Sequence, residues 1–199
     1  YDIYEGQTQP VESQVIVAYA EQYFADYVDT QVEVNGETFD FLPYLLAIVN
    51  AESNTDLYTV SEVDANNDGI FEASFGLFQI NWETESGTLT HANTILTKMI
   101  RDGVITQAEK GTYLNNISQL TTEQMQTVAQ YMANIDVQFE IASEIYKGRK
   151  KRGTNNGDFE DWGARNAPAT AQSYDNYRLE VEAILAQPAS ERLDPKNKF

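Results

Sequence analysis

The sequence predicts a mainly α fold with one small β-hairpin, held in a single domain of 199 residues. Three observations carry this. Apolar residues recur at three- and four-residue intervals along several stretches, the spacing of amphipathic helices. From Leu42 to Val49 the chain is apolar or aromatic on every side, the pattern of a helix buried all round. Asn35-Gly36, the dipeptide most favoured in two-residue hairpin turns, separates two alternating runs. No internal repeat, linker or low-complexity block interrupts the chain, so the core is expected over residues 11–187, with 1–10 and 188–199 as loose tails.

In chain order, Val11, Val15, Ile16, Tyr19, Tyr23, Phe24, Tyr27 and Val28 mark a first amphipathic helix. The hairpin around Asn35-Gly36 follows, then the buried helix, whose Pro43 suits a first turn where its missing N–H is no loss. Ile95, Leu96, Met99 and Ile100 indicate a short helix stopped by Asp102-Gly103. Thr106 with Glu109 has capping-box spacing for another, ending near Asn115-Asn116. Thr121 with Gln124 repeats that signal and opens the longest periodic run, which carries Met125 through Tyr146 and spans about seven turns from Thr121 at 3.6 residues each. The basic run Lys147 to Arg152, closed by Gly153, is helix-stop chemistry, with capture of an anionic polymer as the other use of such charge. A last helix is expected over about Ser173 to Ala186, with Tyr174, Tyr177, Val181, Ile184 and Leu185 facing inward.

Composition excludes several functions. A formal charge of -18 repels nucleic acid and anionic membranes, and no run approaches the ~20 apolar residues of a membrane helix. There is no cysteine, so neither disulfides nor a thiolate metal site can form, and the redox compartment is left open. His91 is the only histidine, which argues against a His-rich zinc site or a Ser-His-Asp triad. A first residue Tyr1, with no signal-like run after it, leads us to expect a soluble chain that is a processed product or a piece of a longer one.

The chemistry is expected at Glu52. This carboxylate arrives at the end of the apolar helix and is followed by Ser53, Asn54, Thr55 and Asp56, all turn-favouring types. A carboxyl group at the rim of an apolar core tends to keep its proton near neutral pH, because desolvation penalises the charged form. A general acid needs that property. A helix-end glutamate in open water is the ordinary alternative.

Ala47-Ile48-Val49-Asn50-Ala51-Glu52-Ser53, followed after a gap by Ser74-Phe75-Gly76-Leu77-Phe78-Gln79-Ile80-Asn81, resembles the lysozyme-like superfamily, especially lytic transglycosylases and phage virion domains that cut peptidoglycan. Asn134, Ala142, Ile145-Tyr146, Phe159 and Asp161-Trp162 extend the likeness, with an unmatched insert from about Trp82 to Leu120. The resemblance implies an α+β lysozyme-like fold and cleavage of the β-1,4 bond between N-acetylmuramic acid and N-acetylglucosamine. Glu52 would be the catalytic acid. In a lytic transglycosylase the same group then takes a proton from the sugar's 6-hydroxyl, closing a 1,6-anhydro ring, so one carboxyl suffices and no cofactor is required. A hydrolase of the muramidase type normally needs a second carboxylate about 5 to 9.5 Å away. In hen-egg-type lysozymes, whose carboxylate pair is a standard example of such tuning, that second group precedes the aromatic-glycine pair, where this chain has Ser74. Glu72, Asp56, Glu62 and Asp64 remain as substitutes, so hydrolysis stays open.

The resemblance also implies substrate contacts at Ser53, Ser74, Gly76, Phe78, Gln79, Asn81 and Trp162, and a tyrosine opposite the acid, for which Tyr131 and Tyr174 are the choices. Gly76 would let backbone approach the sugar or simply form a turn. Gln79 and Asn81 would offer amides to the sugar or brace the turn. Trp82 and Trp162 would stack on sugars or fill the core. Peptidoglycan glycan strands are the expected partner, within a virion or a conjugation or secretion apparatus, and the place virion-associated, extracellular or in the cell envelope. Attachment to a larger particle would make electrostatic capture of an anionic wall by a chain of charge -18 unnecessary. A catalytically silent wall-binding or structural module is the rival class.

Asp64, Asn66, Asp68, Gly69, Ile70 and Glu72 repeat the opening of a calcium loop: oxygen ligands at positions one, three and five, glycine at six, a carbonyl at seven and a carboxylate at nine. Position twelve is Phe75 instead of the bidentate glutamate, so a structural calcium ion would bind weakly unless Glu62 or another carboxylate folds in. A plain turn is the alternative.

Overall fold

The computed structural model describes residues 4–63, 71–83, 88–152, 159, 161, 162 and 168–196. It is mainly α with small antiparallel β elements. In chain order these are α1 (Ser13–Tyr23), β1 (Gln31–Val34), β2 (Glu37–Asp40), α2 (Phe41–Ser53), β3 (Val60–Val63), β4 (Glu72–Phe75), β5 (Ile80–Asn81), α3 (Thr90–Arg101), α4 (Lys110–Tyr113), a 3-10 turn Ile117–Gln119, α5 (Thr122–Met132), α6 (Ile135–Arg152) and α7 (Pro168–Leu185). None of the described helices is long and apolar enough to cross a membrane. The chain forms two compact units, one of Tyr1–Gln9 and Asp56–Ile141, the other of Pro10–Thr55 and Ala142–Phe199. The long helix α6 starts in the first and ends in the second.

In the second unit, β1 and β2 pair in antiparallel register Val34 to Glu37 through Gln31 to Asp40. Asn35 and Gly36 both take positive φ, 53° and 82°, as the primed turn of a hairpin requires. Helix α2 follows directly. Every residue from Phe41 to Val49 is buried, with α1 and α7 packed on it. Around its first turn Phe41 meets Phe24, Tyr27, Tyr146 and Phe159 at ring separations of 5.4 to 6.2 Å, an aromatic core of tilted, stacked and edge-on pairs.

In the first unit, β3, β4 and β5 form an antiparallel meander in that order. The sheet buries Ala73 and Phe75 from β4 and Ile80 from β5. A charged network closes the unit: Lys98 and Arg101 of α3 donate to Glu140 at 3.0 and 2.6 Å, and Arg101 grips Asp102 through Nε and Nη2 at 2.7 and 2.9 Å. Tyr131 Oη also donates to Asp102, at 2.7 Å.

Several boundaries depart from the sequence expectations. The first helix ends at Tyr23, and Phe24 to Thr30 are turns. The Thr106-Glu109 capping box forms, yet it opens only turns and the four-residue α4. The Thr121-Gln124 box caps α5 as expected, but the seven-turn run is two helices. The break at Ala133-Asn134 has a local cause: Asn134 Oδ1 accepts from the Asp136 N–H at 2.9 Å, an N-cap geometry that begins α6 afresh. Helix α6 then runs to Arg152, so the basic run forms its last turns as expected, with Arg149 bound to Asp161 at 2.6 to 2.9 Å. Helix α7 begins at Pro168, earlier than expected, and Leu185 is 41 % exposed rather than inward.

Candidate functional site

Glu52 lies in the last turn of α2 in the second unit and is half-buried. Two residues on, the helix ends abruptly: Asn54 and Thr55 take left-handed φ of 53° and 61° in succession. The Asn54 N–H still donates to Asn50 O at 2.7 Å, and Thr55 O accepts from the Val11 N–H at 2.9 Å, so the strained pair is fixed on both sides. A β-branched residue at positive φ is an outlier of the kind that clusters at functional sites, at a cost of order 1 to 3 kcal/mol. Ser53 is buried, and its hydroxyl donates back to Val49 O at 3.0 Å, so helix geometry accounts for it without a sugar.

The turn Gly76 to Gln79 joins β4 to β5 in the first unit. The structure brings Ser74, Gly76, Phe78, Gln79 and Asn81 together on this hairpin, and most of their polar capacity is used within it. Gly76 has φ of 71° and its N–H donates to Thr59 O at 2.7 Å. Gln79, itself left-handed at 45°, donates from Nε2 to Thr59 O and Gly76 O, at 3.1 and 2.9 Å, and accepts from Ser61 Oγ at 2.6 Å. Its amide therefore braces the turn. Ser74 Oγ donates to Asn81 Oδ1, and Asn81 is exposed at the hairpin edge. The Phe78 side chain is fully buried, edge-on to Phe139 at 5.1 Å, which corrects its placement as a sugar contact.

Gln138 is the residue that sequence reasoning missed. It is fully buried on α6, accepts from the Phe78 N–H at 3.2 Å and donates to Phe75 O and Met132 O at 3.2 and 2.8 Å. It is this side chain that approaches Gly76. Its only sequence signal is an amide flanked by Val137 and Phe139 in a helical run.

The remaining expected contacts lie elsewhere. Trp162 is 5 % exposed and packs edge-on to Phe159 at 5.8 Å, while Trp82 is fully buried and donates from Nε1 to Asn115 O at 2.9 Å. Both fill core, the second of the two uses open to them in the sequence. Tyr131 belongs to the first unit and spends its hydroxyl on Asp102; burial, then that bond, push its phenol up. Tyr174 belongs to the second unit, where its Oη accepts from the Asp40 N–H at 2.9 Å and its ring meets Phe39 at 4.9 Å; burial raises its phenol too. A surface cleft of about 220 Å³ in the second unit is lined by Val28, Leu42, Pro43, Val181 and Leu185 among others. It lies at the start of α2, whereas Glu52 lies in the last turn, ~14 Å away along the axis at 1.5 Å per residue.

Of the calcium set, Asp64, Asn66, Asp68 and Ile70 lie outside the described residues. Glu72 is half-buried on β4 and Glu62 is exposed on β3. Among the described residues no group of three or more His, Cys, Asp or Glu side chains is placed to hold a metal ion. Comparisons with protein families, with curated proteins and with solved structures gave no match.

Proposed function

We propose that this chain cleaves the β-1,4 bond between N-acetylmuramic acid and N-acetylglucosamine in peptidoglycan, as a lytic transglycosylase with Glu52 as its acid. What supports this is the setting of Glu52: a carboxylate, half-buried, delivered by a helix buried throughout from Phe41 to Val49 and followed by two successive left-handed residues. Such a group protonates the glycosidic oxygen as the bond to the leaving sugar breaks. As a carboxylate it then removes the 6-hydroxyl proton while that oxygen closes on the anomeric carbon, and the proton count balances without water. The matching order of the Ala47–Ser53 and Ser74–Asn81 motifs favours this class over a silent wall-binding module.

Mass spectrometry of muropeptides released from purified sacculi tests the proposal. It expects 1,6-anhydro ends. Reducing ends would make the chain a muramidase, and no released muropeptide would make it a binding or structural module. The setting we propose is a virion or a wall-crossing secretion or conjugation apparatus. We further propose that the loop opening at Asp64 holds a structural calcium ion, which would brace the β3–β4 connection without taking part in catalysis. A melting curve that does not move between chelator and millimolar calcium would remove the ion from this account.

A further inference from the structure

Trp82 and Glu83 follow β5, and both reach the segment that joins α4 to α5. Trp82 Nε1 donates to Asn115 O, and Glu83 Oε2 accepts from the Ile117 N–H, each at 2.9 Å. Ile117 opens the 3-10 turn, is itself buried, and the turn packs on β4. Two neighbouring side chains therefore fasten one stretch of backbone, Trp82 through a neutral group and Glu83 through an ionisable one.

Glu83 is only 2 % exposed, and its buried Oε1 has no hydrogen-bond partner. A carboxylate in that place would keep one oxygen without a donor, whereas a proton on Oε1 removes the charge and leaves Oε2 free to accept. The surroundings do not help the charged form. Ser74 faces Asn81 across β4 and β5, and Ala73 O accepts from the Trp82 N–H, so the register continued one pair further sets Glu72 opposite Glu83. The 3-10 turn and β5 carry no charged side chain. On α3, which packs on β5, Lys98 and Arg101 are committed to Glu140 and Asp102. The other titratable group of α3 is His91, next to Ala92, whose N–H donates to Trp82 O at 3.1 Å. Burial first, and the Glu72 charge to a smaller extent, push the Glu83 carboxyl above the ordinary range, while the Ile117 N–H pulls the other way.

We propose that Glu83 is a proton-operated latch: uncharged, it holds the 115–119 segment against the end of the β4–β5 hairpin, and on ionising it lets that segment go. An acid raised by folding contributes its stability below the unfolded value, about pH 4, and loses it as pH rises through the folded value. The 115–119 segment is what opens, because its backbone bond is made to the group that titrates and an ionised carboxylate regains water only by leaving its buried place. The latch depends neither on Glu52 nor on the loop that opens at Asp64.

Hydrogen exchange of the Ile117 amide, corrected for base catalysis, and tryptophan emission test this on wild type and Glu83→Gln from about pH 4 to pH 9. In wild type the opening at Ile117 should increase at least about tenfold as pH rises, the factor carried by each pH unit that separates folded from unfolded acid, and emission should move to the red as Trp82 loses cover. Glu83→Gln, which keeps the uncharged shape and the acceptor, should show neither change. His91 titrates in both proteins and cancels from the comparison. Parallel profiles in the two would overturn the latch. Should Glu83→Gln fail to fold, the Glu83 carboxyl carbon followed by NMR in wild type decides: titration above the ordinary glutamate range, in step with opening at Ile117, supports the latch, and titration within that range overturns it.

Discussion

Gln138 occupies the space that a side chain at Gly76 would need: a Cβ there would lie 2.3 Å from Nε2 and 2.4 Å from Cδ of Gln138. Two constraints therefore meet at one glycine, a φ of 71° and a buried amide. Gly76→Ala should destabilise the chain by about 2 to 4 kcal/mol, from left-handed strain plus displaced buried hydrogen bonds. Gln138→Ala should cost a similar amount, because it strips a partner from Phe78 N–H, Phe75 O and Met132 O. In urea denaturation the double variant should lose clearly less than the sum of the two, since both changes break the same contact. Strict additivity would separate the glycine from the amide.

Asp102 gives a pH signature. Hydrogen bonding from Arg101 first, and from Tyr131 second, holds its carboxyl down at about 2. A depressed folded value means that the unfolded chain takes up the proton first, so the contribution to stability is present above about pH 4 and is lost as pH falls toward 2. Asp102→Asn should therefore melt below wild type at pH 6, and the gap should close between pH 4 and pH 2. A constant gap across that range would assign the loss to packing.

Thr121 caps α5 by a reciprocal box in which its hydroxyl accepts from Gln124 N–H at 3.2 Å while Gln124 Oε1 accepts from Thr121 N–H at 2.9 Å. Thr121→Ala should cost about 1 kcal/mol in urea denaturation. A neutral result would mean that α5 is held by its buried face alone.

Phe41 is fully buried at the centre of the aromatic core. Phe41→Ala should lower stability by about 3 to 5 kcal/mol. A loss below about 1 kcal/mol would show that the surrounding rings collapse into the space.

These contacts show which parts of the chain were legible in advance. The hairpin was readable because Asn35-Gly36 encodes its own turn, and the buried helix because residues 42–49 offer no polar face. Both depend on neighbours in sequence. The break between α5 and α6 was hidden because apolar spacing continues across Ala133-Asn134, so only the cap formed by Asn134 betrays it. The site residues were identified by type, yet type does not give direction: Gln79 and Phe78 turn inward, toward partners distant in sequence, and Trp162 packs on Phe159. For the same reason Gln138 and Glu83 could not be found, since each matters through an atom it meets only in the folded chain.

Glu52→Gln, assayed by turbidity clearing of purified sacculi beside a melting curve, tests the central claim most directly. With a general acid removed, clearing should fall by at least about a hundredfold while the melting temperature stays near that of wild type. Clearing at the wild-type rate would contradict Glu52 as the acid.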